Sequence, residues 1–345
     1  MKTHLLNNCR KVVETLRTAS SVAILHHWDA DGIASAAILP KILNTRIFFY
    51  VPKIGCYGLE AINIEWLRSL PLSLVLILDY GLPVEDVLKL EKTLNVKVAV
   101  IDHHLNRPLS NCFCNPVAMG FSEENYPSTT WVIRDLFNVK NLDLYVALGI
   151  VGDLGKAIEN HKFKNWVIKK CQEHGLLLKD LFKAVEAIDS CYRLVDYNCI
   201  NHARKVLTEF GVKGVLNDTL LSKNRDIVRE NIGKALEKTE LIRDYGKVKL
   251  FKLECDNYLT SIIGRELAYR FRASVIVFDN AVKKLGLEYI YVRSYSFNLR
   301  NILSELKSKG FNVGGKDYVF VVTCKGKCGK EINTVLNTLL RYVGV

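Results

Sequence analysis

Four short, almost wholly apolar runs punctuate the first part of the chain: Val22–Leu25, Ile47–Val51, Leu74–Leu78 and Val98–Ile101. Between them lie stretches with helical character near Gly32–Leu43, Gly58–Ser69 and Val84–Leu94. A strand with one wet face alternates apolar and polar residues, whereas a run that is apolar throughout is buried on both sides. The alternation of such strands with helices predicts a parallel sheet covered on both faces, an α/β architecture.

From Tyr126 to about Gly211 the pattern is mostly helical. The charged stretch Arg225–Tyr245 is expected to be a polar helix with a narrow stripe of Ile227, Val228, Ile232, Leu236 and Leu241, suited to bridging two domains. After Gly246 a second mixed unit is predicted. Its strands fall at Lys247–Leu253, Ser274–Phe278, Leu287–Arg293 and Tyr318–Thr323, and its helices near Leu259–Phe271, Asn298–Lys309 and Glu331–Tyr342. A chain of 345 residues has room for two domains with cores of their own. No apolar run approaches the ~20 residues needed to cross a bilayer. The N-terminus reads as an amphipathic helix with Leu5, Leu6, Cys9, Val12, Val13 and Leu16 on one face, so a cytoplasmic location without a membrane partner is expected.

The net charge of +12 favours polyanionic partners such as nucleic acid, although it is spread along the chain and also serves solubility. The 10 cysteines have no repeating spacing and are expected to be reduced thiols; a hyperthermophilic source would also permit disulfides. Neither Cys112/Cys114 nor Cys324/Cys328 has a second half that would complete a zinc site.

Three of the apolar runs end in ionisable residues. Val22–Leu25 runs into His26, His27, Trp28, Asp29, Ala30, Asp31 and Gly32; Leu74–Leu78 runs into Asp79; Val98–Ile101 runs into Asp102, His103 and His104. Ligands of an open parallel sheet bind beyond the carboxyl ends of its strands. If these strands are neighbours, their ends meet on one rim. Asp153, in Gly152-Asp153-Leu154-Gly155, follows a further apolar run. Crowded carboxylates cannot all ionise without a counter-charge. A divalent metal supplies one, and mixed Asp/His sets suit manganese, iron or zinc. Five or six such ligands can hold two ions about 3.5–4 Å apart, with one carboxylate shared, an arrangement suited to hydrolysing phosphoesters. Each piece alone has a blander meaning: Asp29–Gly32 also reads as a turn, or as a calcium loop without its later ligands. The joint order of the pieces carries the expectation.

In that order, Asp29-Ala30-Asp31-Gly32, Leu78-Asp79-Tyr80-Gly81, Asp102-His103-His104 and Gly152-Asp153-Leu154-Gly155 resemble the four motifs of the DHH phosphoesterase superfamily. The C-terminal unit resembles the companion DHHA1 domain, with Val292-Arg293-Ser294 and Gly310–Gly315 at its Arg-Ser strand and Gly-Gly substrate loop. The pattern is most similar to archaeal RecJ-like nucleases, relatives of the bacterial RecJ exonuclease and, more distantly, of a catalytically silent scaffold of the replicative helicase. The resemblance implies a parallel-sheet DHH domain over residues 1–215, a helical linker over 216–245 and a smaller α/β DHHA1-like domain over 246–345. It implies two divalent cations, manganese or alternatively magnesium. By position, Asp29 ligates the first and Asp31, His103 and Asp153 the second. Asp79 bridges, His104 contacts the scissile phosphate, and Asp102 orients the neighbouring imidazoles. Gly314 and Gly315 let the second domain's backbone approach the substrate.

Two positions depart from the family pattern. The metal-binding histidine that many members place four residues before the first Asp is Leu25 here. His27 has the better geometry to replace it, because alternate residues of an extended chain point the same way, and His26 is then a packing residue. The family's Gly-Gly-His is Gly314-Gly315-Lys316; a lysine can hold a phosphate as a point charge but cannot act as a neutral imidazole. Arg107 and Arg293 are candidate phosphate contacts, the former equally a solvated loop residue. Tyr289 and Tyr291 offer stacking faces for bases or are ordinary strand residues. Trp28 closes over a base or is buried beneath the site, and the turn Cys324–Lys330 touches a nucleic acid backbone or is simply solvated.

The leading expectation is a two-metal exonuclease acting on single-stranded DNA or RNA, in replication, repair or RNA turnover, which could also dock on a replication or repair helicase complex. One alternative is a phosphodiesterase of short oligonucleotides or cyclic dinucleotides. Another is a non-catalytic scaffold; silent relatives lose metal ligands, and here Asp29, Asp31, Asp79, His103 and Asp153 are all present.

Overall fold

The N-terminal helix α1 (Lys2–Thr18) leads into β1 (Ser21–His26), whose six residues are all buried. The alternation anticipated above then follows: α2 (Ala30–Ile38), β2 (Arg46–Tyr50), α3 (Ile64–Arg68), β3 (Leu74–Leu78), α4 (Val84–Leu94) and β4 (Val98–Ile101). A two-residue strand, β5 (Phe113–Cys114), is too short to leave a periodic signal in the sequence. The strands pair in the order β2-β1-β3-β4-β5, every neighbour parallel. The chain leaves β1 for β2 on one side and returns to β3 on the other, so the switch point of the sheet lies between β1 and β3. In the computed structural model the described residues are 2–109, 112–324 and 327–344, without the side chains of 2–6 and 279. The side chains of Leu5 and Leu6 of the expected amphipathic face, and Lys325 and Gly326 of the basic turn, lie outside them.

Two helices are shorter than the sequence pattern suggests. Pro40 sits in a 3-10 turn, Leu39–Lys41, that stops α2, and Gly58–Ser69 holds only α3 after a 3-10 turn at Leu59–Ala61. Beyond β5 come α5 (Thr129–Phe137), α6 (Asp143–Leu154), α7 (Lys164–Glu173), α8 (Leu178–Arg193), α9 (Tyr197–Asn217) and α10 (Thr219–Glu237). All nine residues of α2 are buried. Its Ala, Gly and Ser content lets α5, α6 and α9 pack against it closely.

The chain divides into two compact units, Met1–Tyr192 with Asp196–Arg225, and Arg193–Val195 with Asp226–Val345. The division falls inside α10. The helix expected over Arg225–Tyr245 is therefore shifted: it ends at Glu237, and Glu240–Asp244 forms the edge strand β6. Val228, Ile232 and Leu236 do make a stripe, but it packs into the second unit's core instead of spanning solvent, while Leu241 is exposed on β6.

That second unit continues with β7 (Val248–Cys255), α11 (Thr260–Phe271), β8 (Val275–Val282), β9 (Leu287–Ser294), α12 (Arg300–Ser308), β10 (Val313–Lys316), β11 (Val319–Cys324) and α13 (Gly329–Val343). Its sheet order is β10-β11-β9-β8-β7-β6, antiparallel except for β7 with β8. Side chains alternate across it with the strand period of two. Val275 and Val277 join Ile302 and Leu306 of α12 and Val335 and Leu339 of α13. Ile276 and Phe278 join Ile263 and Leu267 of α11 on the other face. The chain is thus α/β throughout, a parallel five-stranded unit followed by a mixed six-stranded one.

Cysteine usage departs from expectation. Cys9–Cys114, Cys191–Cys199 and Cys324–Cys328 are disulfides, with Cys56, Cys112, Cys171 and Cys255 free. Cys9 and Cys114 are 105 residues apart in sequence and meet only because α1 lies against β5. No helix among the described residues is long and apolar enough to cross a membrane.

Candidate metal centre

Strand register aligns the polar ends. His26 is opposite Leu78, Leu78 opposite Ile101, and Ile101 opposite Cys114. The next residue on each strand is His27, Asp79, Asp102 and Asn115, so these four stand in one row across the carboxyl rim. The ladder continues into the row: the N–H groups of His27, Asp79 and Asp102 donate to Leu78, Ile101 and Cys114 carbonyls at 3.2, 3.0 and 3.0 Å. Asp79, the first residue past β3, has a φ of 58°, a left-handed conformation that Asp tolerates better than most residues.

After His27 the chain turns into α2. Asp29 caps the helix by accepting from the N–H of Gly32 at 3.1 Å, and its other oxygen lies 2.8 Å from Nδ1 of His27. Asp31, in the first turn, is 1% exposed. Its carboxylate is clamped by the start of α5: the Thr129 N–H donates to Oδ2 at 2.6 Å, and the Thr130 N–H and hydroxyl donate to Oδ1 at 3.1 and 2.8 Å. The Thr129 hydroxyl donates to Oδ1 of Asp79 at 2.7 Å. Sequence pattern does not single out these threonines, because Ser128-Thr129-Thr130 looks like an ordinary helix start. Ser128 does cap α5, accepting from the Trp131 N–H.

Asp153, from the last turn of α6, lies 2.7 Å from Nε2 of His103, whose Nδ1 faces the Tyr126 carbonyl at 3.2 Å. Asp102 is a hub beneath the rim. It accepts from the N–H groups of Gly81, His103 and His104 and from Nδ1 of His104 at 2.7 Å. That bond leaves Nε2 as the free nitrogen of the half-exposed His104 ring. Asn115, also unforeseen, donates to the His104 carbonyl at 2.8 Å.

The ligand atoms of His27, Asp29 and Asp79 lie within 4.8 Å of one another, as do those of Asp31, His103 and Asp153, and those of Asp79, His103 and His104. The residues singled out in the sequence therefore meet in one place. His26 points elsewhere, its ring against Phe49 and its Nδ1 on the His27 carbonyl, and burial holds its pKa down at about 3. Trp28 is buried, packed among His27, Tyr57 and Tyr80.

The electrostatics are those of a site short of positive charge. Burial, with the nearby Asp153, pushes Asp31 up to about 7. Burial together with Asp31, Asp29 and Asp153 raises Asp79 well above the carboxylate range. For Asp102 the burial penalty is overcome by His104, leaving its pKa at about 2. His27 and Asp29 likewise overcome burial by pairing, the imidazole shifted up and the carboxylate down. Among the described residues none of Asp29, Asp31 and Asp79 pairs with a lysine or arginine. Nε2 of His27 is buried without a hydrogen-bond partner. Carboxylates lacking a counter-cation beside an unpartnered imidazole nitrogen fit a divalent metal.

Of the remaining expected residues, Arg107 stands apart from this cluster in the first unit, and Arg293, Gly314, Gly315 and Lys316 belong to the second unit. Arg107 is 72% exposed and ion-paired with the exposed Glu85. Arg293 lies on β9, opposite Val319 and Ile276. Gly314, Gly315 and Lys316 form the edge strand β10, where a Cβ on Gly315 would sit 2.2 Å from the Val319 carbonyl oxygen. A glycine is thus required there by the hairpin itself. Tyr289 and Tyr291 are 1% and 2% exposed, which removes them as stacking faces.

Residues 21–162 match the N-terminal domain of the DHH family. No curated protein sequence matches the chain. Among solved structures, the DHH domain of a protein described as a member of a ribosomal-protein family is similar over 99% of this chain and 90% of that one, at 20% identity and a TM-score of 0.65. Exonuclease RecJ bound to manganese is similar over 99% of this chain and 94% of that one, at 14% identity and a TM-score of 0.63. RecJ of Thermus thermophilus in complex with Mn2+ shares 14% identity and a TM-score of 0.67 over 99% of this chain, which spans 55% of that protein. The chain thus carries, over residues 21–162, a match to the N-terminal domain of the DHH family, and its fold is similar to that of RecJ.

Proposed function

We propose that the protein is a metal-dependent phosphodiesterase that shortens single-stranded nucleic acid from an end. The observation that carries this reading is the pair of adjoining ligand triads, His27/Asp29/Asp79 and Asp31/His103/Asp153, with Asp79 also within reach of His103 at 3.7 Å. In this reading each triad would hold one divalent cation, manganese or magnesium, and Asp79 is the carboxylate the two sites would share. The two ions, when bound, supply a nucleophile at neutral pH and neutralise phosphate charge. The chain's own residues do the rest. Asp102 fixes the His104 ring through Nδ1, so that the ring in its imidazolium form would donate from Nε2 to a phosphate oxygen as charge develops there. His103 is held through Nδ1 by the Tyr126 carbonyl, the outer support a metal-binding imidazole needs, which leaves Nε2, facing Asp153, as the ligating nitrogen.

RecJ, the nuclease of similar fold, and the net charge of +12 support nucleic acid as substrate. Within this proposal the phosphoesterase domain takes residues 1–215, and residues 246–345 contribute Arg293, Gly314, Gly315 and Lys316 to substrate binding.

The test is digestion of 5′- and 3′-labelled single strands, from dinucleotides upward, with added Mn2+. Stepwise shortening of long strands by wild type, abolished in Asp79→Ala and by chelator, is the expected result. Cleavage confined to the shortest substrates would restrict the enzyme to oligonucleotide remnants. Equal product from wild type and Asp79→Ala would refute the assignment.

A further inference from the structure

Thr129 touches both halves of the cluster. Its N–H donates to Asp31 and its hydroxyl to Asp79, residues that follow β1 and β3 on either side of the switch point. Thr130 adds two donors, but both go to Asp31. The space around this clamp is closed by α6: a Cβ on Gly149 would lie 2.2 Å from both Oδ1 of Asp31 and Oγ1 of Thr130. Gly149 therefore lets the α6 backbone press on that hydrogen bond and admits no side chain there.

A carboxylate rotates freely about its last bond unless its oxygens are engaged. Asp31 has both oxygens engaged by α5, which sets the lone pairs that remain for a ligand. Asp79 has one oxygen set by the Thr129 hydroxyl. We propose that Thr129 is a positioning residue that ties the two cation positions together: through one side chain and its own amide it holds the shared carboxylate, Asp79, at a set angle to Asp31. The proposal rests on the two-cation reading above. It goes beyond it by assigning to the first turn of α5, outside every recognised motif, control over how the two sites fill.

Titration calorimetry of Mn2+ into the full-length chain tests this without reference to catalysis. Thr129→Val keeps size, branching and the amide donor and removes only the hydroxyl. It is expected to weaken Mn2+ binding by about tenfold or more, the range seen when a residue supporting a metal ligand is lost, and to uncouple the two binding steps. Thr129→Ser restores the hydroxyl and should recover wild-type binding. Thr130→Val should lose less, because two amide donors stay on Asp31. Thermal melts of the metal-free variants establish that they are folded. Wild-type Mn2+ binding in Thr129→Val, or a loss in Thr129→Ser as large as in Thr129→Val, overturns the proposal. If wild type itself binds no Mn2+, the two-cation reading falls and this proposal with it.

Discussion

The two sheets of this chain treat polar groups in opposite ways. In the parallel sheet, β1, β3 and β4 are buried along their whole length, and their ionisable residues are collected just past the carboxyl ends. Asp31, Asp79, Asp102 and His103 are all at most 3% exposed. In the mixed sheet charged residues lie along the strands themselves, Lys249 and Lys252 on β7 and Glu288 and Arg293 on β9, and β6 is exposed at every position. A parallel sheet aligns all its strand ends on one side, so residues from distant parts of the sequence converge there. A largely antiparallel sheet sends successive strand ends to opposite sides and cannot concentrate them in this way. The groups able to hold a metal accordingly lie, among the described residues, in the first unit.

The strongest way to break this contrast is to compare one residue from each sheet. Asp79→Ala should lower turnover by about a thousandfold or more, as loss of a group acting within a catalytic unit does. Arg293→Ala should raise KM by about tenfold, as for a lost charge-assisted hydrogen bond, and leave kcat nearly unchanged. A large fall in kcat in Arg293→Ala would place chemistry in the second unit as well.

Within the rim, His27 and His26 separate the two faces of β1. His27→Ala should weaken Mn2+ binding by about 10–100-fold. His26→Ala removes a buried ring packed on Phe49 and should lower Tm without changing Mn2+ affinity. The reverse pattern would mean that the strand presents its other face to the metal.

Acid dependence sharpens the picture further. Asp31 at about 7 and the raised Asp79 keep their protons in the metal-free fold above the pH at which they lose them in the unfolded chain. The metal-free protein therefore loses stability as pH rises through that window, from about 4 to about 7, because the folded state is the one binding more protons there. Asp29 and Asp102, whose pKa values are lowered, work oppositely; their contribution is present above the unfolded value and is lost as pH falls through the folded one. A bound cation must displace the protons on Asp31 and Asp79. The Tm gain from Mn2+ should consequently grow as pH is raised from about 5 to about 8, which melts with and without metal will read. A gain independent of pH would mean that these carboxylates are not the ligands. The smallest effect is expected for Arg107→Ala. Its side chain is exposed and engaged with Glu85, so activity should stay within about twofold of wild type.

The α/β class, the central strands and the set of Asp and His residues just past the strand ends are legible in the amino-acid order alone. Those properties are local: a fully apolar run specifies a doubly covered strand, and Asp and His carry their chemistry wherever they stand. The same order also pointed to His27 over Leu25, since strand alternation is a local rule. Tertiary structure decided what local rules cannot reach. Thr129 lies 98 residues from Asp31 and 50 from Asp79, and in the sequence it looks like any helix start. Cys9 finds Cys114, Tyr289 and Tyr291 turn inward, and Arg107 stays at the surface for the same reason. Pairing register and helix packing, set by the burial of whole faces, choose which distant residues meet, and no short stretch of chain contains that choice.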